Sequence, residues 1–178
     1  SFQYIAATVA FAVGLLIVRL YMGTCYDQLG KATDDESKRD QYTDIFNIFA
    51  SLGVLASPAF SCMARLGGHP LTELGTWVCL LVALATSLCH VLEVQLVTFL
   101  GFSVGRQFLF SKFYGFMLEM YGPLFGRASG IAGVVAGAVN YLQNPLLRLT
   151  LESFDGDWVP VIAGQMVACV LGCLMLGV

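Results

Sequence analysis

The chain has 178 residues, of which 57% are hydrophobic and only 12% are charged, and its formal net charge is -3. Soluble domains carry about 25% charged residues, so this composition excludes a disordered chain, a nucleic-acid binder with a basic surface and most soluble enzymes. It predicts an all-helical, multi-pass integral membrane protein whose surroundings are lipid and other membrane segments, with no nucleic acid as partner.

Uncharged runs recur along the chain, and each is near the ~20 residues that a helix needs to cross a bilayer. Charge-rich or glycine- and proline-containing breaks separate the runs, at 66–70, 121–123 and 152–157 among other places. The polar segment at about 28–41 is the longest break. The pattern predicts one bundle of six transmembrane helices, at about 2–26, 44–64, 72–92, 94–121, 125–149 and 158–178.

Three basic residues, Arg19, Arg106 and Lys112, fall inside these runs. A charge at membrane depth costs at least ~2.5 kcal/mol, so it normally faces a bundle interior or a water-filled cavity. Arg106 lies about twelve residues, or ~18 Å, into the fourth span, which is too deep for cheap snorkelling. We expect Arg106 to line a cavity, whereas snorkelling or an ion pair is the simpler expectation for Arg19 and Lys112. Lys112 and Glu119, seven residues apart, are predicted to pair with each other.

The fifth predicted span carries four glycines at four-three-four spacing, Gly126, Gly130, Gly133 and Gly137. This spacing puts them on one stripe of a helix, where small residues let a neighbouring backbone approach closely. The stripe predicts a helix-packing surface. Two roles remain open for this surface, which are tight static packing and sliding during a conformational cycle.

Amide side chains cluster at the end of the same span, where Asn140, Gln143 and Asn144 precede Pro145. Asn140 and Asn144 are expected to share a helix face. Amides at membrane depth are costly without partners, so they should hydrogen-bond to another helix, to a carbonyl freed near the proline, or to a ligand.

Catalytic and metal-binding patterns are not found in the sequence. The cysteines form no C-x-x-C pair and mostly lie in apolar runs, where a free cysteine packs as a small hydrophobe. We therefore expect no metal site, no cofactor and no enzymatic activity. The six cysteines are Cys25, Cys62, Cys79, Cys89, Cys169 and Cys173.

One stretch resembles a known family. Residues 125–130 leading into 142–146 fit the pattern F-G-x-x-x-G followed by L-Q-x-P-L without a gap. This pattern is similar to helix eleven of major facilitator superfamily carriers, in particular the facilitative large-neutral-amino-acid carriers and the apicomplexan amino-acid transporters. Residues 106–108, 18–21 and 156–159 resemble the same carriers' helix ten, the end of helix seven and the start of the last helix.

The resemblance implies that the six spans are helices seven to twelve, built as two inverted three-helix repeats. Arg19 and Arg106 would occupy the first helix of each repeat, and both helices line the central cavity in the family. By position, Arg106 and Arg19 become candidates for holding substrate or a gating charge, and Asn140 and Gln143 for the cavity wall. An arginine there could hold a carboxylate bidentately.

The chain also departs from the family. The signature G-x-L-x-D-R-x-G-R is expected between the second and third spans, but Ser61 replaces its first glycine, Arg65 its aspartate and His69 its basic residue. The resemblance covers only half a carrier, and a carrier forms its site between two six-helix halves.

Two functions remain open from the sequence. The first is the C-terminal half of a secondary carrier that moves a small polar solute, an amino acid being the favoured class, by alternating access. Its partners would be a second six-helix half and the solute. The few acids near the spans favour facilitated diffusion over proton coupling. The alternative is a non-transporting half-carrier that serves as a structural subunit of a larger membrane complex, such as an energy-transducing supercomplex, with other membrane subunits as partners.

Overall fold

The structure is a computed structural model that describes residues 2–154 and 156–174. This part of the chain is helical and contains no strand, so the predicted all-helical class is confirmed. Two short 3₁₀ turns, Gly53–Ala56 and Gly122–Leu124, interrupt the α-helices. The helices are α1 (Phe2–Gly30), α2 (Glu36–Leu52), α3 (Ser57–Ser87), α4 (Leu92–Tyr121), α5 (Phe125–Asn140), α6 (Gln143–Ser153) and α7 (Val159–Leu174).

Three helical stretches of the described chain have the length and the apolar composition needed to cross a membrane, namely 2–30, 36–87 and 92–153. The second and third contain 52 and 62 residues, more than twice the ~20 that one crossing requires. Helix α7 is apolar but shorter. Residues 175–178, the end of the sixth predicted span, lie outside the described residues.

A sharp bend at Gly68 divides α3 into residues 57–67 and 69–87. Gly68 has φ 62° and ψ -152°, a conformation that glycine adopts far more readily than any residue with a Cβ atom. Pro70 follows two residues later, and its fixed φ suits the first turn of the helix that resumes. The break expected at 66–70 is therefore a bend between two helical segments rather than an extended loop.

The polar segment predicted at 28–41 is shorter in the structure. Helix α1 continues to Gly30, and α2 already begins at Glu36. The Asp35 carboxylate caps α2, because it accepts hydrogen bonds from the backbone N–H groups of Ser37 at 3.1 Å and Lys38 at 3.4 Å. Only residues 31–35 remain as an irregular connection.

The centre of the bundle is formed by aromatic contacts between α1 and α4. Phe11 stacks on Phe113 with ring centroids 4.0 Å apart, and Tyr21 stacks on Phe102 at 4.1 Å. All four side chains are buried. Stacked aromatic pairs stabilise beyond the area they bury, by about 0.5–1.5 kcal/mol each. These two stacks hold α1 and α4 in register along much of their length.

The helix ends form two groups. We call them the first end, around Tyr4, Ala128, His69 and Glu119, and the second end, around Lys31 and Gly156. At the first end, the Tyr4 hydroxyl donates to the Ala128 carbonyl at 2.8 Å, and His69 Nε2 lies 2.9 Å from Glu119 Oε2. At the second end, Lys31 Nζ donates to the Gly156 carbonyl at 2.6 Å. The start of α1, the Gly68 bend, the end of α4 and the start of α5 are thus neighbours, whereas the end of α1 meets the start of α7.

Candidate functional site

Arg106 lies near the middle of α4 and lines an open groove of about 230 Å³. The groove runs between α4 and the junction of α2 with the 3₁₀ turn Gly53–Ala56. Its polar lining comes from Ser51, Ser103, Arg106 and Gln107. The remaining lining residues are Ala50, Gly53, Val54 and Phe110.

Beside the groove, the second helical stretch comes very close to α4 at Gly53. A Cβ atom added at Gly53 would lie 2.9 Å from the backbone oxygen of Ser103, so only glycine fits there without a shift of the backbone. The 3₁₀ turn at the same point interrupts the helix.

Hydrogen bonds orient Gln107 but leave the Arg106 guanidinium free to face the groove. Gln107 Nε2 donates to the Ser57 hydroxyl at 3.0 Å and to the Ser111 hydroxyl at 3.2 Å. Arg106 is half-buried, and its guanidinium carbon lies 6.0 Å from the centroid of the Phe110 ring. No carboxylate of the described residues pairs with it. Among the described residues, the positive charge of Arg106 therefore lies midway along an apolar helix without an acidic partner.

Arg19 is exposed on the surface of α1 and has no acidic partner among the residues that the structure describes. Gly23 lies one turn further along the same face. The side chain of Gln143 sits against Gly23, since a Cβ added there would lie 2.6 Å from Gln143 Nε2. The structure thus brings Gln143 of α6 to the α1 face that carries Arg19.

Asn140 is buried, whereas Asn144 is exposed, so the two amides have different surroundings. Tyr141 and Leu142 separate α5 from α6, and a shared helix face for the two amides stays a prediction. Asn140 Nδ2 donates to the Ala136 carbonyl of its own helix at 2.6 Å. Its Oδ1 atom is buried without a hydrogen-bond partner in the structure.

In the part of the chain that the structure describes, the four predicted cavity residues do not line a single groove. Arg106 lines the groove beside α2, and none of Arg19, Asn140 and Gln143 contributes to that groove. Arg19 instead lies on an exposed face of α1, and Gln143 of α6 packs against the same face at Gly23. If the four residues belong to one cavity, a further segment must close it from outside the described chain.

The glycine stripe does not pack against any part of the described chain. A Cβ added at Gly126, Gly130, Gly133 or Gly137 would have nothing within 4 Å. Helix α5 instead packs on α1 through the buried residues Ala128, Ala132 and Ala136. The alanine methyl groups make contacts that glycine lacks, and they lie on the face opposite the glycines. The packing surface predicted for the glycines is thus an outward-facing surface of this bundle.

The predicted pairing of Lys112 with Glu119 is wrong, because both residues pair with α3. Lys112 Nζ forms a salt bridge with Glu73, and Glu119 contacts His69. The Glu73 and Lys112 side chains are only 20% and 13% exposed. The other carboxylate oxygen of Glu73 accepts a 2.8 Å hydrogen bond from Trp77 Nε1.

Glu73 was not singled out from the sequence. An acid and a lysine that both fall in apolar runs should find oppositely charged partners. Glu73 and Lys112 both fall in apolar runs, so this rule applies to each of them. The sequence does not show which helices face each other, because the two residues lie far apart along the chain. In the structure α3 packs against α4, and this contact brings Glu73 next to Lys112.

Within residues 2–154 and 156–174, no three histidine, cysteine, aspartate or glutamate side chains are placed to hold a metal ion. The six cysteines are all free thiols. Comparisons with protein-family profiles, with curated proteins and with solved structures found no match for this chain.

Proposed function

We propose that this chain is an integral, multi-pass membrane protein and forms the C-terminal half of a secondary carrier of the major facilitator type. It moves a small polar solute, with an amino acid as the favoured class, by alternating access. The proposal combines the sequence resemblance of residues 125–146 with the Arg106 groove. The observation that carries it is an uncompensated arginine midway along an apolar helix and facing an open groove.

The grouping of the helix ends supports six crossings in two repeats. The Gly68 bend and the 3₁₀ turn Gly122–Leu124 lie where α3 and α4 would leave one crossing and begin the next. Contacts at the first end and at the second end alternate along the chain, as they must if each segment crosses once. Helix α1 packs on α5, and α4 packs on α2, which is the reciprocal pairing expected of two inverted repeats.

In this function Arg106 binds the anionic group of the solute. A guanidinium holds a carboxylate through two parallel hydrogen bonds. The Ser51 and Ser103 hydroxyls line the same groove but donate to the backbone carbonyls of Asn47 and Phe99, so Arg106 is the donor on which this contact depends. Arg19, Asn140 and Gln143 belong to the wall that a second six-helix half would close. Among the described residues the groove holds no acid, which favours facilitated diffusion over proton coupling.

The outward glycines favour a second candidate function, a structural subunit of a larger membrane complex. Gly126 to Gly137 offer open space along α5 that a helix of another subunit could fill closely. In that function the Arg106 groove would be covered by neighbouring chains or lipid and would not open and close.

Solute flux measured with the intact protein in proteoliposomes separates the two functions. Arg106→Ala should reduce amino-acid flux at least tenfold while its abundance stays unchanged, because a lost charge-assisted bidentate contact is worth about 1.5–3 kcal/mol. Arg127→Ala, which removes an exposed arginine outside the groove, is the matched control and should leave the flux unchanged.

The size of the particle extracted from the native membrane is the complementary measurement. A carrier runs alone or as a dimer around two six-helix halves. Flux that is absent in the unmodified protein, together with a large multi-subunit particle that loosens in Arg106→Ala, would replace the carrier by the structural subunit.

A further inference from the structure

The polar side chains that line the Arg106 groove differ in which hydrogen-bonding atoms they leave for a ligand. The Ser51 hydroxyl donates to the Asn47 carbonyl at 2.9 Å. The Ser103 hydroxyl donates to the Phe99 carbonyl at 2.7 Å. A serine hydroxyl has one proton and two lone pairs, so each of these oxygens can still accept a hydrogen bond but has no proton left to donate.

Gln107 is held in the same sense by two serine neighbours. Its Nε2 atom donates to the Ser57 hydroxyl at 3.0 Å and to the Ser111 hydroxyl at 3.2 Å, which uses both protons of the amide. Its Oε1 atom makes no hydrogen bond within the described part of the chain and stays accessible. Gln107 therefore offers the groove an acceptor and no donor.

The lining side chains consequently divide into one donor group and three acceptors. Among the described lining residues, Arg106 has the only side-chain donor group left for a ligand. The acceptors are oxygen atoms of Ser51, Ser103 and Gln107. Because these oxygens are neutral, they can bind a donor of the ligand without neutralising Arg106. Ser103 precedes Arg106 by three residues and Gln107 by four, a spacing that puts side chains about 5–6 Å apart on one helix face.

We propose that Gln107 is a specificity-determining residue of this groove, which selects an anion with a hydrogen-bond donor beside its anionic group. Arg106 binds the anionic group, and Gln107 Oε1 accepts from the neighbouring ammonium or hydroxyl group of the ligand. An ammonium group fits best, since its three N–H donors match the three acceptors. A carbonyl oxygen in that place is rejected, because it leaves the acceptors of the site unpaired. This inference rests on the proposed function, because it concerns the solute of the same groove.

Binding of three acids that share one carbon skeleton tests the proposal. Beside the carboxylate, L-alanine carries an ammonium group, L-lactate a hydroxyl group and pyruvate a carbonyl oxygen. Dissociation constants are measured from the thermal stabilisation of the intact protein in lipid nanodiscs at increasing concentrations of each acid. We expect the affinity to fall from alanine to lactate to pyruvate. Pyruvate should bind at least about tenfold more weakly than alanine, because hydrogen bonds to a charged group are lost.

Two variants assign the preference to Gln107. Gln107→Leu removes the acceptor, so the preference for alanine over pyruvate should fall about 2- to 12-fold, the range of a single hydrogen bond. Ser57→Ala combined with Ser111→Ala removes both partners of the amide, so Nε2 can turn towards the ligand and the preference should fall as well. The double variant gives the answer if Gln107→Leu does not fold. Gln165→Leu makes the same change on α7, outside the groove, and should keep the preference.

Failure of this inference and failure of the proposed function give different results. Equal affinity for alanine and pyruvate, with both lost in Arg106→Ala, would overturn the role of Gln107 but leave the Arg106 site intact. A preference for pyruvate would also overturn it, as would an alanine preference that persists in both Gln107→Leu and the double serine variant, or one that Gln165→Leu abolishes. Binding of none of the three acids, or binding that Arg106→Ala leaves unchanged, would remove the proposed function and this inference together.

Discussion

Removing both charges of the Glu73–Lys112 pair is predicted to cost far less stability than the sum of the two single deletions. Lys112→Met removes the charge but keeps a side chain of similar length, and it leaves the Glu73 carboxylate unpaired. Glu73→Gln removes the other charge but keeps a carbonyl oxygen that can accept from Trp77 Nε1. The double variant removes both charges together.

The expected changes in the free energy of unfolding follow from how deeply the Glu73 and Lys112 side chains are buried. Removing one partner of a fully buried ion pair costs about 3–5 kcal/mol, whereas exposed pairs are worth about 0–1 kcal/mol. With side chains that are 20% and 13% exposed, each single variant should lower the free energy of unfolding by about 2–3 kcal/mol. The double variant should lie within about 1 kcal/mol of the unmodified protein, because no unpaired charge remains.

The assay is reversible unfolding in mixed micelles, followed by circular dichroism during titration with a denaturing detergent. Lys38→Met is the matched control, since Lys38 pairs with Asp35 at 3.9 Å in an exposed position, and its cost should stay below about 1 kcal/mol. Single variants that cost no more than this control, or a double variant whose cost equals the sum of the singles, would refute the importance assigned to burial.

Two further stability predictions use the same unfolding assay. Gly53→Ala should lower the free energy of unfolding by about 1–3 kcal/mol, because the new Cβ would lie 2.9 Å from the Ser103 backbone oxygen. Gly130 has open space around it, so Gly130→Ala should be neutral or should raise the free energy of unfolding by up to about 1 kcal/mol. An equal change in the free energy of unfolding for Gly53→Ala and Gly130→Ala would contradict the close approach of the two backbones at Gly53. Phe113→Ala should cost about 3–5 kcal/mol, since it removes the ring stacked on Phe11, and a cost near zero would mean that α1 and α4 do not meet there.

The helical class could be predicted from the sequence because it depends on local composition. Uncharged runs of about 20 residues cannot satisfy their backbone groups in lipid except as helices. The positions of two breaks also follow from local chemistry, since Gly68 with Pro70 and Gly122 with Pro123 are unfavourable inside a helix. The breaks at Gly53–Ala56 and at 141–142 instead fall inside predicted spans. How many of the helical segments cross the membrane remains a prediction.

The partners of charged residues could not be predicted in the same way. Lys112 and Glu119 were expected to pair because they are seven apart on one helix, yet each finds a nearer partner on α3. In α5 the glycine spacing predicted a packing face, whereas the buried alanines form the contact with α1 and the glycines face outward; the packing role of the glycine stripe stays a prediction. Spacing along one helix identifies residues that share a face, but it does not identify which face meets a neighbour.

By itself, the sequence determined that this chain is helical and apolar, that a few charges lie inside its helices, and that the helices break near Gly68 and Gly122. These properties depend on residues within a few turns of one another. Only the tertiary structure decided that Arg106 faces a groove beside Gly53, that Glu73 neutralises Lys112 and that His69 meets Glu119. Such contacts join residues that are about forty to fifty positions apart, and their geometry depends on how whole helices pack, which no local pattern encodes.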